Sequence, residues 1–487
     1  MRYSSLFLFL LSATLSTTTL TAQLTAADSI GSTLTLQQAV AIAIRNNLAV
    51  NQADIQARSQ KVTLNQAWDN MLPNISGQAN QSISYGHALN PYDYTYVSQT
   101  GTGSYGVSAN LTIFAGLQIQ NSIRANSYMY NANKYDLQWQ KDNTTLTVLL
   151  DYLQVLSSRD QLAIIIAQRS ADTIQLHRLE QLAAEGNLTA ANGGMEALPN
   201  LRGQVAQDEI NIAQAINAFE SNKITLFNMM NVPYKRDLEY ENSVTATDLS
   251  AYPLASDTIF NTALTILPNV KSAELKKLYW TKELAVARGA YYPTLSFGAG
   301  ISTNYYSLDL VPTTVANVQT GLPTGTYVQG SNTPVLEDKT NYNSQRVSWG
   351  DQFTANKSPN IGLNLSIPIL NGLRARNQVK QTKLSLKNSE LLDANTKLVL
   401  QQNVEQQFQN MLSAYKQYKF YLEQAADYGE SFRITNVKFS EGLVTSDVYI
   451  QAKQRSDAAS NNLAAAKYIY IFRTKVLDYY QGKLVIQ

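Results

Sequence analysis

The sequence predicts an α+β membrane protein with an internally duplicated helix-strand-strand-helix layout. Four strands per chain contribute to a β-barrel shared between copies, and long antiparallel coiled-coil-like helices extend from it. Three observations carry this expectation. Four segments, 73–86, 105–115, 293–306 and 359–370, have strand-like patterning and contain no Asp, Glu, Lys or Arg. From Leu117 to Glu185 the chain runs without proline or a turn cluster. The order of these features then occurs a second time, the signature of an internal repeat.

The chain has 487 residues, and its 38 basic and 36 acidic groups leave a net charge of +2. Such balance, at 15% charged residues, gives no sign of the concentrated basic face that nucleic acid requires. Mean hydropathy is −0.22, and no apolar run reaches the ~20 residues of a spanning helix, so any membrane crossing falls to strands. With no cysteine, disulfides and thiolate metal sites are excluded. No nucleotide-binding loop, zinc-protease motif or nucleophile elbow occurs, so nothing points to an enzyme, and no cofactor or metal is implied.

In chain order, Met1-Arg2, an apolar core at Leu6–Leu11 and a small residue at Ala22 read as a signal peptide over 1–22. The first repeat, 23–230, opens on a helix for which Thr35 and Gln38 form a capping box. Apolar residues at Ala39, Ala43, Val50 and Ala53 continue it toward Leu72, before Pro73. Strands follow at 73–86 and 105–115, separated by a tyrosine-rich loop, and a helix opens after Gly116. At ~1.5 Å per residue, the 70-residue step to Gly186 spans ~105 Å, the length of a rod. Leu146, Leu149, Leu150 and Leu153 form its narrow seam. Glu185-Gly186 ends it, and a helix returns from about Asn200 to Met230.

Residues 231–255, with Pro233 and Pro253, form a linker, and the second repeat occupies 256–487. Pro293 stands 220 residues after Pro73, whereas Gly372 stands 256 after Gly116 and Glu441-Gly442 stands 256 after Glu185-Gly186. The insertion implied by those offsets falls between the third and fourth strands, where 309–358 reads as a Gly/Asn/Thr/Pro-rich loop carrying Tyr327, Tyr342 and Trp349. In the fourth strand, Ile361, Leu363, Leu365, Ile367 and Ile369 face one way, and Asn360, Gly362, Asn364 and Ser366 the other.

Two faces of opposite polarity fit a soluble half-buried sheet or a barrel wall between lipid and water. The flanking helices, rich in Asn, Gln, Ser and Thr, lack the broad apolar stripes that a soluble sheet needs as a cover. Four strands are too few to close a barrel, so other copies of the chain must complete it; three copies give twelve strands, and two or four are also arithmetically allowed.

The duplicated layout, the passage NLSIPILNGLRARNQ and the tip EGLVTSDVYIQAKQ together resemble the TolC family of outer-membrane efflux proteins, over nearly the whole mature chain. The resemblance implies a homotrimer with a twelve-stranded barrel in outer-membrane lipid, a periplasmic helical tunnel, and service as exit duct for an inner-membrane pump joined through a periplasmic adaptor protein. It implies adaptor contacts at the tips, here Glu185, Gly186, Asn187, Leu188, Glu441, Gly442, Leu443 and Val444. The family's acidic positions at the closed entrance, six and nine residues past the second tip glycine, correspond to Val448 and Gln451, both uncharged. Asp447 offers the neighbouring carboxylate, though one at a helix N-terminus is also explained by the dipole. Pro368 is expected at the rim, where the chain leaves the sheet.

Tyr85, Tyr92, Tyr94, Tyr305 and Tyr306 are candidates for an interfacial girdle or for plain loop residues. His87 and His177 lie too far apart in sequence to suggest a metal cluster. Arg374, Arg376 and Lys380 form a basic group that fits anionic lipid heads or cargo, or more simply a solvated helix face. A surface-binding or adhesion protein using the 309–358 loop is the alternative function. A free-standing nutrient porin leaves the long helices unexplained.

Overall fold

The computed structural model describes residues 31–89, 96–186, 196–242, 249 and 251–483. The expected signal peptide, Tyr92, Tyr94, Asn187 and Leu188 lie outside the described residues. The chain divides into two compact units, one built from residues up to Ile55, Tyr135–Lys271 and Thr396 onward, the other from Gln56–Lys134 and Ser272–Asn395.

The duplicated order is present in the elements themselves. Helices α1 (Leu36–Asn46) and α2 (Leu48–Asp69) have 11 and 22 residues, and so do α5 (Ser256–Ile266) and α6 (Pro268–Gly289). The long helices α3 (Gln118–Ala184) and α8 (Arg374–Ser440) have 67 each. Their returning partners α4 (Ala197–Met230) and α9 (Ser446–Tyr480) have 34 and 35. The capping box forms as the sequence suggests, with Gln38 N–H donating to Thr35 Oγ1 at 3.1 Å and Thr35 N–H to Gln38 Oε1 at 3.2 Å.

The single helix expected from Thr35 to Leu72 is instead broken at Asn47. Its backbone is extended, and its side-chain carbonyl accepts from the N–H groups of Ala49 (3.0 Å) and Val50 (3.3 Å), starting a new helix. Asparagine competes for backbone donors in this way and is a preferred N-cap. In the second repeat the equivalent break is at Leu267, held extended by Pro268.

In the first unit, strand β1 (Thr33–Leu34) pairs in parallel with β4 (Glu239–Tyr240), which lies within the segment read as a linker. Leu34, Val148, Leu149, Tyr152, Leu153 and Phe227 make the core beneath this pair. Of the expected seam, Leu149 and Leu153 are buried while Leu146 and Leu150 are half-buried. The Tyr152 hydroxyl lies 2.8 Å from the carbonyl oxygens of both Leu34 and Glu241. A second core joins Ile259, Val270, Leu400, Val404, Tyr470 and Leu477.

The second unit contains a four-stranded antiparallel sheet of order β2-β3-β5-β8, from β2 (Asn74–Leu89), β3 (Tyr96–Ala115), β5 (Thr294–Tyr306) and β8 (Ser358–Ser366). Its register aligns the alternation of all four strands. Ile75, Ala109, Ala299 and Ile361 make one cross-strand row, and Leu111, Phe297 and Leu363 another. The opposite face carries Ser76, Ser108, Gly300 and Asn360, then Thr112, Ser296 and Asn364. The apolar face is uncovered over much of its width: Ile75 is 68% exposed and Ile361 77%. Strands β2 and β8 are the sheet's edges.

Strand β8 ends at Ser366, short of the expected 370, because Pro368 lacks an N–H and Ile367–Leu370 leave the ladder. Both passages from sheet to long helix then use two consecutive left-handed residues: Gly116 (φ 58°) and Leu117 (61°) in the first repeat, Gly372 (62°) and Leu373 (61°) in the second. Leucine accepts this conformation only at a cost of about 1–2 kcal/mol. Among the described residues no helix is long and apolar enough to cross a membrane.

The segment read as a loop over 309–358 is mostly regular structure. Strands β6 (Leu310–Tyr327) and β7 (Pro334–Arg346) form a hairpin, and helix α7 (Trp349–Ala355) follows before β8. Four register shifts punctuate the hairpin. They break the strict alternation by which a strand is recognised in sequence.

Candidate functional site: the helical tips and the charge cluster behind them

The glycines at both tips take the left-handed conformation expected of helix stops, Gly186 at φ 71° and Gly442 at 73°. At the second tip, Gly442 N–H donates to the Phe439 carbonyl (3.1 Å) and Leu443 N–H to that of Lys438 (2.8 Å). These bonds satisfy carbonyls that the end of α8 would otherwise leave without partners. Glu185, Gly186, Glu441 and Leu443 are exposed, and Gly442 and Val444 half-buried.

Past this tip, Asp447, Val448 and Gln451 all fall on one exposed face of α9, spaced as neighbours on a helix surface. Asp447 lies in the first turn, where the helix dipole favours a carboxylate, and accepts a hydrogen bond from Asn200 Nδ2 of α4 at 3.1 Å. The carboxylate therefore ties the start of α9 to α4.

The opposite face of α9 holds a group that sequence reasoning missed. Lys453, 1% exposed, faces three carboxylates: Asp457 Oδ2 at 2.6 Å, Asp172 Oδ2 at 2.9 Å and Asp208 Oδ2 at 3.7 Å. The Tyr449 hydroxyl, fully buried, donates to Asp172 Oδ1 at 3.1 Å. Gln204 Nε2 donates to Asp208 Oδ1 (3.0 Å) and Gln454 Nε2 to Gln204 Oε1 (3.2 Å). Helix α8 contributes rings, Phe439 stacked on Tyr449 at 4.7 Å and Phe432 tilted against it. The cluster thus joins α3, α4 and α9 through one cation and three anions, two of them almost wholly buried.

Such an excess of negative charge in a low-dielectric site is relieved by protonation. Burial, reinforced by the neighbouring Asp208 and opposed by Lys453, raises the Asp172 carboxyl to about 7. Burial also raises Asp457. For Lys453, burial works to lower the pKa, but the hydrogen bond to Asp457 and the charges of Asp172 and Asp457 outweigh it and raise the value. The only sequence sign of this cluster was the spacing of Lys453 and Asp457, one helical turn apart.

Other candidates separate. His177 is exposed beside Glu180, and His87 lies in β2 of the other unit. Arg374, Arg376 and Lys380 are exposed in the first turns of α8. Tyr85, 79% exposed, sits in β2, while Tyr305 and Tyr306 end β5 and are half-buried. An aromatic group absent from the sequence expectation stands at the same end of the sheet. Tyr105 meets Trp349 edge-on at 5.8 Å, and Phe353 stacks on Trp349 at 5.0 Å.

Residues 260–471 match the family model described as outer membrane efflux protein. No protein of curated function matches the chain in sequence. Among solved structures, the CmeC outer membrane channel of Campylobacter jejuni is 17% identical at a TM-score of 0.68, covering 92% of this chain and 86% of that one. The outer membrane protein VceC of Vibrio cholerae is 10% identical at 0.69, covering 92% and 96%. The open-state MtrE outer membrane channel of Neisseria gonorrhoeae is 14% identical at 0.66, covering 95% of each. At such identities the likeness is one of fold, and it extends over more than nine-tenths of the chain. Residues 260–471 are thus similar to the outer membrane efflux protein family, and they lie within a fold shared almost end to end with these outer-membrane proteins.

Proposed function

We propose that this chain is the exit duct of a tripartite efflux or type I secretion system, conducting substrates passively from an inner-membrane pump and periplasmic adaptor to the exterior. The observation that carries the reading is the four-stranded sheet with two edges and an uncovered apolar face. Unpaired backbone groups in lipid cost several kcal/mol each, so β2 of one copy pairs with β8 of the next. Three copies close a twelve-stranded barrel with the apolar rows outward and the Ser/Asn/Gly/Thr face toward water.

In this assembly the α3–α4 and α8–α9 hairpins form the periplasmic tunnel, at ~100 Å for each 67-residue helix. The tips 185–188 and 441–444 meet the adaptor. Asp447, Val448 and Gln451 line the entrance, where one carboxylate per copy binds cations more weakly than paired acidic rings. Energy comes from the pump.

The test is the mass of the detergent-extracted protein and its capture of a periplasmic adaptor. A trimer that retains the adaptor, and loses it on replacement of 441–444 by a glycine-serine linker, is the expected outcome; a stable monomer refutes the duct. The exposed β6–β7 hairpin supports a second reading, a surface-binding protein. Deleting 310–346 leaves export intact under the first reading and abolishes partner binding under the second.

A further inference from the structure

Helix α7 lies on the apolar face of the sheet. The Thr303 hydroxyl of β5 donates to the Phe353 carbonyl (3.0 Å), and the Phe353 ring packs 5.8 Å from that of Tyr105. Gln352, 1% exposed, fixes the helix further: its Nε2 donates to the Tyr306 carbonyl (2.9 Å), and its Oε1 accepts from Tyr306 N–H (2.8 Å). Beside this contact a groove of about 460 Å³ opens along the strands, within the range of pockets that hold a small ligand. Its floor is Gly77, Ala79 and Val107, its walls Ile301 and Phe353, and Lys357 stands at its rim.

Two features of the groove specify a ligand. The floor is flat and apolar because the register sets Gly77 opposite Val107 and Ala79 opposite Tyr105, leaving room where larger side chains would fill the row. The rim carries an exposed ammonium, Lys357, that makes no ion pair among the described residues. An apolar trough with one cation at its mouth, beside an aromatic cluster of the kind that marks a membrane interface, fits an acyl chain whose head group bears phosphate.

We propose that the groove between α7 and strands β2, β3 and β5 binds an acyl chain of a phosphorylated glycolipid of the outer leaflet, with its phosphate on Lys357. The choice of leaflet rests on the duct reading. Strand β5 leaves α6 at Thr294 and reaches α7 only at its far end, near Thr303, so helices directed to the periplasm put α7 at the outer surface. The segment 349–357 is then a lipid clamp set into the barrel's outer rim.

The test uses the full-length chain in detergent and native mass spectrometry with three probes: diphosphorylated lipid A, its dephosphorylated form, and phosphatidylglycerol. Oligomeric state and insertion into liposomes are measured on the same samples, so a failure of the barrel reading is seen separately from a failure of lipid binding. Lipid A is expected to bind in preference to both other probes. Lys357→Gln weakens lipid A about fivefold, the loss of one cation near a phosphate surface, and leaves the dephosphorylated form unchanged. Gly77→Leu fills the trough and abolishes binding; a Cβ there meets nothing closer than the Gly106 carbonyl at 3.9 Å, so the strand tolerates it. Equal binding of phosphatidylglycerol overturns the assignment to a glycolipid. An assembled, inserted protein whose two variants bind lipid A as the parent does overturns the site.

Discussion

Replacing Lys453 by methionine removes the one cation that Asp172, Asp208 and Asp457 share. At the observed 2.6–3.7 Å separations and an effective dielectric of ~20, each attraction amounts to ~4–6 kcal/mol before solvation is counted. Desolvation offsets most of that sum, and breaking a buried pair by removing one partner generally costs about 3–5 kcal/mol, because the other charge is stranded. Lys453→Met is therefore expected to lower the local stability of the α3–α4–α9 packing by about 3–5 kcal/mol at pH 7.5. The cost shrinks as pH falls, since the raised Asp172 and Asp457 carboxyls take up protons and remove unpaired charge. Amide hydrogen exchange across 446–457, compared with the parent at the same pH, reads this directly. At ~1.4 kcal/mol per decade, protection falls at least a hundredfold at pH 7.5 and about tenfold or less at pH 5. Protection within twofold of the parent at both pH values would refute the reasoning, because the ammonium would then have no charge to balance.

Asp172→Asn tests the same cluster from the other side. Its carboxyl is raised in the folded chain, so the protonated form's contribution is fully present below the ordinary value of 3.8 and is lost as pH climbs toward about 7. Parent α9 should exchange faster at pH 8 than at pH 6 after correction for intrinsic rates, and the Asn variant should show little of that difference. Gly116→Ala and Gly372→Ala differ sharply despite equal φ. A Cβ on Gly116 would stand 2.4 Å from the Gly289 carbonyl, whereas one on Gly372 meets nothing within 4 Å. The second change costs about 1 kcal/mol from backbone strain alone and the first clearly more, as read by thermal melting of the extracted protein. Leu363→Arg puts a cation on the apolar face near mid-strand and should cost about 2–4 kcal/mol, visible as lost insertion into liposomes; Asn364→Arg, on the opposite face, should insert normally.

The sheet was legible because its alternation is pure: a run such as Ile361, Leu363, Leu365 with no charge between has few other interpretations. The order of helices was legible from glycine breaks whose spacing recurs. Asn47 hid its break because an asparagine inside an otherwise helical pattern declares a cap only when its side chain finds the next two amides. The 310–346 hairpin was hidden for a different reason, since prolines 312, 323 and 334 and the register shifts beside them scramble the period by which a strand is seen. Asp172, Asp208 and Lys453 sit on three helices whose approach no local pattern encodes. The exposed stripe at Asp447, Val448 and Gln451 follows from a family position, whereas the buried face behind it is set by the packing of three helices.

The Ser, Asn, Thr and Gly rows of the sheet have one more implication. A conduit lined by neutral hydroxyls, amides and bare backbone presents no fixed ions, and every hydrogen bond it offers a passing molecule is matched by one from solvent. Cations, anions and uncharged solutes would all cross such a surface with similar ease, so in the duct proposed above any sorting of cargo is finished before the sheet is reached.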